Sequence, residues 1–123
     1  MTPLLVAVLG GLGAAARFVV DGWFRGRWAA RLPLATMTIN VSGSLVIGVL
    51  AGALSTGGLA PTAYTLAATG FCGGYTTFST ASVEVVRLAQ AGDVRRALVA
   101  AFGSLALTVA AAAAGFWVAA ALG

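Results

Sequence analysis

Four long apolar stretches, joined by short polar segments, limit the fold of this chain more than any other feature. They cover residues 3–20, 32–54, 61–86 and 97–122 of the 123-residue sequence. Each is long enough for the roughly 20 residues with which an α-helix crosses a bilayer. Since 60% of the residues are hydrophobic and 8% are charged, little chain is left for a soluble part. We therefore predict an all-α membrane protein whose four transmembrane helices form one domain over residues 1–123.

The basic residues are unevenly distributed around these stretches. All seven are arginines, and they lie at the end of the first stretch, in the first connection and around the third connection: Arg17, Arg25, Arg27, Arg31, Arg87, Arg95 and Arg96. With four spans, the first and third connections lie on the same side of the membrane, and excess arginine marks the cytoplasmic side. The sequence thus predicts a multi-pass protein of the cell membrane with both arginine-bearing connections in the cytoplasm. The basic pI requires no nucleic-acid partner.

The third stretch contains a segment that is poorly suited to a continuous helix. Residues 70–80 read GFCGGYTTFST, and each glycine costs about 1 kcal/mol relative to alanine in a helix interior. Unpaired backbone groups cannot face lipid, so a break at membrane depth is tolerated only where protein or water covers it, and such breaks commonly line ion sites. We predict that the third helix is broken here, with carbonyl oxygens between Gly73 and Thr76 available to a hard alkali cation.

Polar residues follow one face of the second stretch. Thr36, Asn40 and Ser44 are spaced four residues apart and therefore share a helix face. The Asn40 amide can donate two hydrogen bonds to an anion while its oxygen is held elsewhere. Hydrogen bonding between helices, which Asn and Thr often provide in membranes, explains the same spacing. Spacing alone supports both interpretations.

Two further polar features within the apolar stretches also have two interpretations each. Ser104 and Thr108 lie one helical turn apart in an alanine-rich stretch, so they either bond carbonyls of their own helix or present a hydroxyl track to a pore. Arg17 lies about fourteen residues into the first stretch. It either extends to headgroup level or provides a positive potential at a pore mouth that concentrates anions.

The titratable residues are too few for catalysis. Glu84 must be hydrated, paired or protonated if it lies near the end of a span, and we predict an ion pair with Arg87, three residues later. The sequence has no histidine, one cysteine and three carboxylates that are far apart. A Ser or Thr without a general base is not a nucleophile, and no soft or imidazole ligand set for a transition metal is present. We predict that the chain is not an enzyme.

Three motifs resemble one known family across nearly the full length of the chain. GxGAxxR occurs at Gly11–Arg17, TxxxNxxGS at Thr36–Ser44 and the glycine- and hydroxyl-rich signature at Gly70–Thr80. Together they resemble the Fluc, or CrcB, family of small fluoride channels. The resemblance implies passive export of cytoplasmic fluoride, which relieves fluoride toxicity. It also implies an antiparallel dimer of four-helix subunits with two narrow fluoride pores and a structural sodium ion at its centre.

The resemblance assigns roles to individual residues. The backbone carbonyls of Gly73 and Thr76 match those that bind the sodium ion, and Arg17 matches the family's first-helix arginine. Phe78 matches an aromatic residue whose ring edge, the positive part of its quadrupole, contacts fluoride. Such an edge replaces hydration water without trapping the anion. The predicted fluoride pore comprises Thr36, Asn40, Phe78, Ser104 and Thr108.

Two positions depart from the family pattern. Ala81 stands where a second phenylalanine is usual, and Ala100 stands where a tyrosine is common. Family members that form homodimers insert in both orientations and carry nearly balanced arginine and lysine on the two faces, whereas this chain is one-sided. We therefore predict a heterodimer with an oppositely biased paralogue; a homodimer is the alternative partner arrangement.

Two other functions fit the size of the chain. A dual-topology multidrug exporter subunit has similar length and helix count, but proton-coupled export of that kind needs a carboxylate in the first span, and residues 3–20 contain none. A non-conducting assembly partner would use the glycines and hydroxyl groups for packing only. Packing alone does not require a helix break followed by Thr76, Thr77 and Phe78.

Overall fold

The computed structural model describes residues 1–28 and 32–123, and every regular element in those ranges is helical. The elements are α1 (Thr2–Arg27), α2 (Leu34–Ser55), α3 (Pro61–Tyr64), a π-helix (Thr65–Cys72), α4 (Gly73–Tyr75), α5 (Phe78–Gln90) and α6 (Val94–Leu122). We call residues 61–90 the third segment. Arg31, one of the arginines of the first connection, lies outside the described residues.

Three helices in the described part of the chain are long and apolar enough to cross a membrane. They are α1, α2 and α6, with 26, 22 and 29 residues. They contain nearly all of the predicted spans 3–20, 32–54 and 97–122, and α1 and α6 extend past them toward the arginines. The predicted span 61–86 is divided among four shorter helical elements. A fourth membrane crossing therefore stays a prediction.

The helix ends follow local residue chemistry. Pro3 and Pro61 stand in the first turns of α1 and α3, where a missing amide proton costs no helical hydrogen bond. Gly92 has a φ of +82° and forms the turn before α6. Asp93 then caps α6, because its carboxylate accepts from the backbone amide of Arg96 at 3.2 Å. These signals fix a tight connection between α5 and α6.

The helices approach each other closely at glycines. A Cβ added to Gly13 would overlap the carbonyl oxygen of Phe71, and one added to Gly74 would overlap that of Gly10. Both contacts join α1 to the third segment. On the other side of the bundle, a Cβ on Gly48 would overlap the Ala112 carbonyl. Small residues in membrane proteins permit this backbone-to-backbone packing, and it joins α1 to the third segment and α2 to α6.

Few large side chains are buried within the described part of one subunit. Ile39 and Thr36 are the largest that are fully buried. In contrast, Phe18, Phe78 and Trp117 are 82%, 87% and 70% exposed. Exposed apolar surface of this extent is expected where lipid or another subunit covers the protein.

Candidate ion site at the interruption of the third segment

The helical path of the third segment is interrupted at two threonines. Thr76 (φ −78°, ψ 161°) and Thr77 (φ −149°, ψ 123°) are extended, between the end of α4 and the start of α5. Thr77 is the N-cap of α5, since its hydroxyl oxygen accepts from the Thr80 amide at 3.2 Å. A threonine in this role satisfies one of the free amides at a helix start. The sequence thus begins a new helix at Phe78.

The Asn40 side chain bonds both backbone groups of Thr77. Its Nδ2 donates to the Thr77 carbonyl oxygen at 2.8 Å, and the Thr77 amide donates to Asn40 Oδ1 at 2.8 Å. In a continuous α-helix the Thr77 amide would instead donate to the carbonyl of Gly73. Asn40 therefore takes the donor that the Gly73 carbonyl would have in a helix. One Nδ2 proton of Asn40 is left for another acceptor.

Two other α2 residues shape the surface beside the interruption. A Cβ on Gly43 would overlap Cγ2 of Thr76, so a larger residue here would require the Thr76 side chain to move. The Ser42 hydroxyl lies 3.0 Å from the Tyr75 hydroxyl. With Asn40, these contacts place the TxxxNxxGS motif of α2 directly against the interruption.

Arg17 approaches the interruption from α1. Its Nη1 donates to the carbonyl oxygen of Thr76 at 3.4 Å, a long hydrogen bond. Arg17 also lines a cavity of about 240 Å³. The lining residues are Ala14, Arg17, Phe18, Asp21, Thr36, Ile39, Thr77 and Thr80. An arginine, a carboxylate and several hydroxyl-bearing residues thus line one cavity beside the extended threonines.

The predicted Glu84–Arg87 ion pair is wrong. Glu84 Oε1 accepts from Arg25 Nη2 at 2.9 Å and from the Thr36 hydroxyl at 3.0 Å. Glu84 turns toward α1 and α2, where its side chain is 15% exposed, whereas Arg87 lies on the exposed face of α5. A carboxylate in such surroundings needs a charged partner, and the long Arg25 side chain supplies it. Sequence spacing had suggested only a partner on the same helix.

The remaining predicted site residues lie farther from this contact set. Phe78 is the first residue of α5 and is 87% exposed. Ser104 and Thr108 are half-buried on α6, and the Thr108 hydroxyl donates to the Leu105 carbonyl of its own helix at 3.0 Å. Within residues 1–28 and 32–123, no hydrogen bond joins either α6 hydroxyl to Asn40. The structure thus groups Arg17, Asn40 and Thr76, and places Thr36 with Glu84.

The arrangement of helices around this site defines the class of the protein. Three helices of membrane-spanning length pack against an interrupted helical segment, beside a cavity lined by charged and polar side chains, which is the architecture of a small multi-pass membrane protein. The sequence belongs to the CrcB family: the family model described as "CrcB-like protein, Camphor Resistance (CrcB)" matches residues 4–116. The family predicted from the three motifs is thereby confirmed.

Individual relatives are similar over nearly the whole chain. The fluoride-specific ion channel FluC 1 of Leifsonia xyli subsp. xyli is 49% identical over 120 residues, covering 95% of this chain and 88% of the relative. FluC 1 of Streptomyces avermitilis is 43% identical over 122 residues, covering 99% and 98%. FluC of Thermus thermophilus is 41% identical over 104 residues, covering 85% and 82%.

Proposed function

We propose that this chain is a subunit of a fluoride-selective channel through which cytoplasmic fluoride leaves the cell passively. The observation that carries the proposal is the polar interruption bonded by Asn40 and Arg17. It occurs in a membrane protein whose relatives, aligned over nearly their full length, are named fluoride-specific ion channels. A channel needs no catalytic residues, in agreement with the sparse titratable chemistry of the chain.

The third segment serves as the fourth membrane span in this proposal, broken at Thr76 and Thr77. The free Nδ2 proton of Asn40 is suited to donate to an anion, and the exposed edge of Phe78 offers weak, non-trapping contacts. Thr36, Ser104 and Thr108 add hydroxyl groups along the path. Arg17 concentrates anions at its mouth. In this structure the Thr36 hydroxyl donates to Glu84 and the Thr108 hydroxyl donates to the Leu105 carbonyl, so each must rotate away from that acceptor to donate to an anion.

The donor chemistry near the interruption suits a sodium ion. The Gly73 carbonyl has lost its helical donor to Asn40, and the Thr76 carbonyl accepts a long bond of 3.4 Å from Arg17. Carbonyl oxygens are hard ligands, as alkali cations require, and helix breaks in membrane proteins often supply them. Among the described residues, no group of three His, Cys, Asp or Glu side chains is placed to hold a metal ion. We propose that Gly73 and Thr76 of two subunits share a structural sodium.

We further propose that the functional unit is an antiparallel dimer. The large exposed apolar surface, including Phe78, supports a second subunit. The one-sided arginines favour a single orientation of insertion, so the partner would be a paralogue of opposite charge bias. Purification of this chain alone as an antiparallel homodimer would remove the heterodimer hypothesis.

A non-conducting subunit within such a heterodimer is the second candidate. Ala81 lacks the ring of a second phenylalanine, and Ala100 is 2% exposed and offers no hydroxyl. A small-molecule exporter fits less well, because the carboxylate nearest the first span, Asp21, is bonded to Arg25 at 2.8 Å.

Fluoride and chloride efflux from liposomes tests the proposal. The protein is purified alone and also with a co-expressed paralogue, and both ions are followed with selective electrodes. Rapid fluoride efflux with negligible chloride leak is expected in at least one preparation. Conduction by the chain alone would exclude the non-conducting candidate, and well-folded protein that conducts in neither preparation would contradict the channel.

A single substitution tests the pore assignment in the same assay. Phe78→Ile removes the aromatic edge and is expected to abolish fluoride efflux while leaving dimer assembly intact. Phe102→Ile is the matched control, because Phe102 is 66% exposed on α6 and is assigned no contact with the anion. Equal efflux in the two variants would remove Phe78 from the path.

A further inference from the structure

We propose that Asn40 is a positioning residue that keeps the third segment interrupted. By holding both backbone groups of Thr77, it prevents that amide from closing a helical turn onto Gly73. The part of this inference that concerns sodium rests on the proposed function above, whereas the part that concerns backbone geometry does not. This role is separate from direct contact between Asn40 and an anion. It concerns the shape of the backbone, which is set before an anion binds.

The competition at Thr77 involves one donor and two acceptors. The Thr77 amide can bond the Gly73 carbonyl in a helix or Asn40 Oδ1 in the extended conformation, and the structure has the second bond at 2.8 Å. Thr77 is only 8% exposed. A buried amide left without an acceptor costs about 1–3 kcal/mol. Loss of the Asn40 acceptor would therefore favour return of this amide to Gly73.

The second Asn40 bond requires an extended backbone at Thr77. Nδ2 donates to the Thr77 carbonyl at 2.8 Å, so the side chain contacts Thr77 as a neighbouring β-strand would, with one bond given and one received. Such a pair is satisfied only when Thr77 is extended beside α2. The extended ψ of 123° at Thr77 agrees with this requirement.

Other contacts accommodate the interruption but do not bond the Thr77 amide. Gly43 leaves space for the Thr76 methyl group, and the Thr77 hydroxyl caps the new helix at Thr80. Both are compatible with an extended pair of threonines. Asn40 is the residue whose side chain accepts the hydrogen bond of the Thr77 amide in place of the Gly73 carbonyl, so the positioning role belongs to Asn40.

Nuclear magnetic resonance of the protein in detergent micelles tests this geometry directly. Relative to random-coil values, Cα shifts have opposite signs in extended and helical backbone, so Thr77 reports its own conformation. Asn40→Ala and Asn40→Leu both remove the amide, and the leucine variant keeps most of the volume. We expect the Thr77 Cα shift to change sign toward the helical value in both variants. Ser44→Ala, one turn away on α2, is the control and should leave it unchanged.

A sodium titration provides the second readout. If Gly73 regains its helical donor, its carbonyl binds sodium less well, and the sodium concentration for half-maximal dimer should rise roughly tenfold, about the contribution of one net hydrogen bond. Ser44→Ala should titrate like the unaltered protein.

The outcomes separate this inference from the proposed function. A Thr77 that stays extended in both Asn40 variants overturns the positioning role, even if fluoride efflux is lost, since Asn40 would then act on the anion alone. A sign change at Thr77 supports the role. If the unaltered protein has an extended Thr77 but shows no fluoride efflux with either preparation, the channel proposal fails and the positioning role stands.

Discussion

Glu84 illustrates how a charged residue is accommodated beside apolar helices. Its carboxylate is bonded by Arg25 and Thr36, from α1 and α2, while Arg25 also bonds Asp21 at 2.8 Å. The cluster ties α5 to two helices that are distant in sequence. Because Glu84 is mostly buried and Arg25 is half-exposed, the arginine holds the carboxylate while its own charge stays partly solvated.

Loss of the Arg25 guanidinium should destabilise the fold. In Arg25→Gln the buried carboxylate loses its charged partner, and we expect the free energy of unfolding to fall by about 1–3 kcal/mol. Thermal unfolding in detergent measures the effect. Arg87→Gln removes the same charge from the exposed face of α5 and should change stability little; equal losses in the two variants would restore the local pair with Arg87.

The sequence predicted where the polar residues lie better than it predicted the groups to which they bond. The spacing of Thr36, Asn40 and Ser44 correctly places them along α2, and the Asn40 oxygen is held as expected, but by a backbone amide. The sequence indicated no contact between positions 40 and 77, because a side chain that bonds a backbone group leaves no pattern in residue types. The Arg25–Glu84 pair was missed for a related reason: 59 residues separate its members. The assigned pore roles stay predictions.

At the scale of elements, α1 and the third segment are joined by close backbone contact. A Cβ would not fit on Gly13, which faces the Phe71 backbone, or on Gly74, which faces the Gly10 backbone. The third segment includes an eight-residue π-helix, Thr65–Cys72, a rare conformation that often occurs at functional sites. The close contact between α1 and the third segment therefore holds in place the segment that contains the interruption.

Alanine substitution should distinguish the part of α1 that contacts the third segment from the rest of the helix. In Gly13→Ala the new methyl group meets the Phe71 backbone, which cannot rotate away, so we expect a loss of about 1–3 kcal/mol. Gly22→Ala adds the same group to the same helix in open space and should be neutral or slightly stabilising, because alanine is the better helix former. Unfolding midpoints of the two variants check this, and equal midpoints would contradict the close packing.

The cap of α5 yields a separate prediction. Thr77→Val removes the hydroxyl that accepts from Thr80 and should cost about 1 kcal/mol. Thr77→Ser retains an acceptor and should stay close to the original stability in the same unfolding measurement. If valine and serine behave alike, the cap contributes nothing to α5.

Hydrophobic length predicted α1, α2 and α6 closely because each is a continuous apolar helix. It could not give the internal structure of residues 61–86, where π-helical turns, a three-residue α4 and two extended threonines follow one another. An apolar stretch can adopt any of these conformations, so its hydrophobicity does not distinguish them. Glycine and threonine indicated where the irregularity would fall, and the bonds from other helices determine its form.

At the scale of the molecule, one subunit gains little from a core of its own. Within residues 1–28 and 32–123 its largest fully buried side chains are Ile39 and Thr36, and many large apolar residues are exposed. Stability must therefore come from close backbone packing, from polar contacts and from lipid or a partner. A shared cation at Gly73 and Thr76 would add to the last of these.

Removal of sodium should weaken the proposed dimer. Replacement of sodium by a large organic cation leaves the carbonyls of Gly73 and Thr76 without a bound cation. We therefore expect the protein to shift from dimer toward monomer. Subunit counting at fixed detergent concentration measures this, with readdition of sodium as the reversal control. Assembly that is insensitive to sodium would count against both carbonyls as ligands.

The contact between Asn40 and Thr77 has a consequence for related sequences. Every residue except proline offers the same backbone N–H and C=O at position 77, so this contact restricts position 40 to asparagine but position 77 hardly at all. Position 77 is restricted instead by the cap of α5, which also accepts Ser, Asp or Asn. Substitutions at the two sites are therefore expected to occur independently, and covariation between them would not reveal the contact.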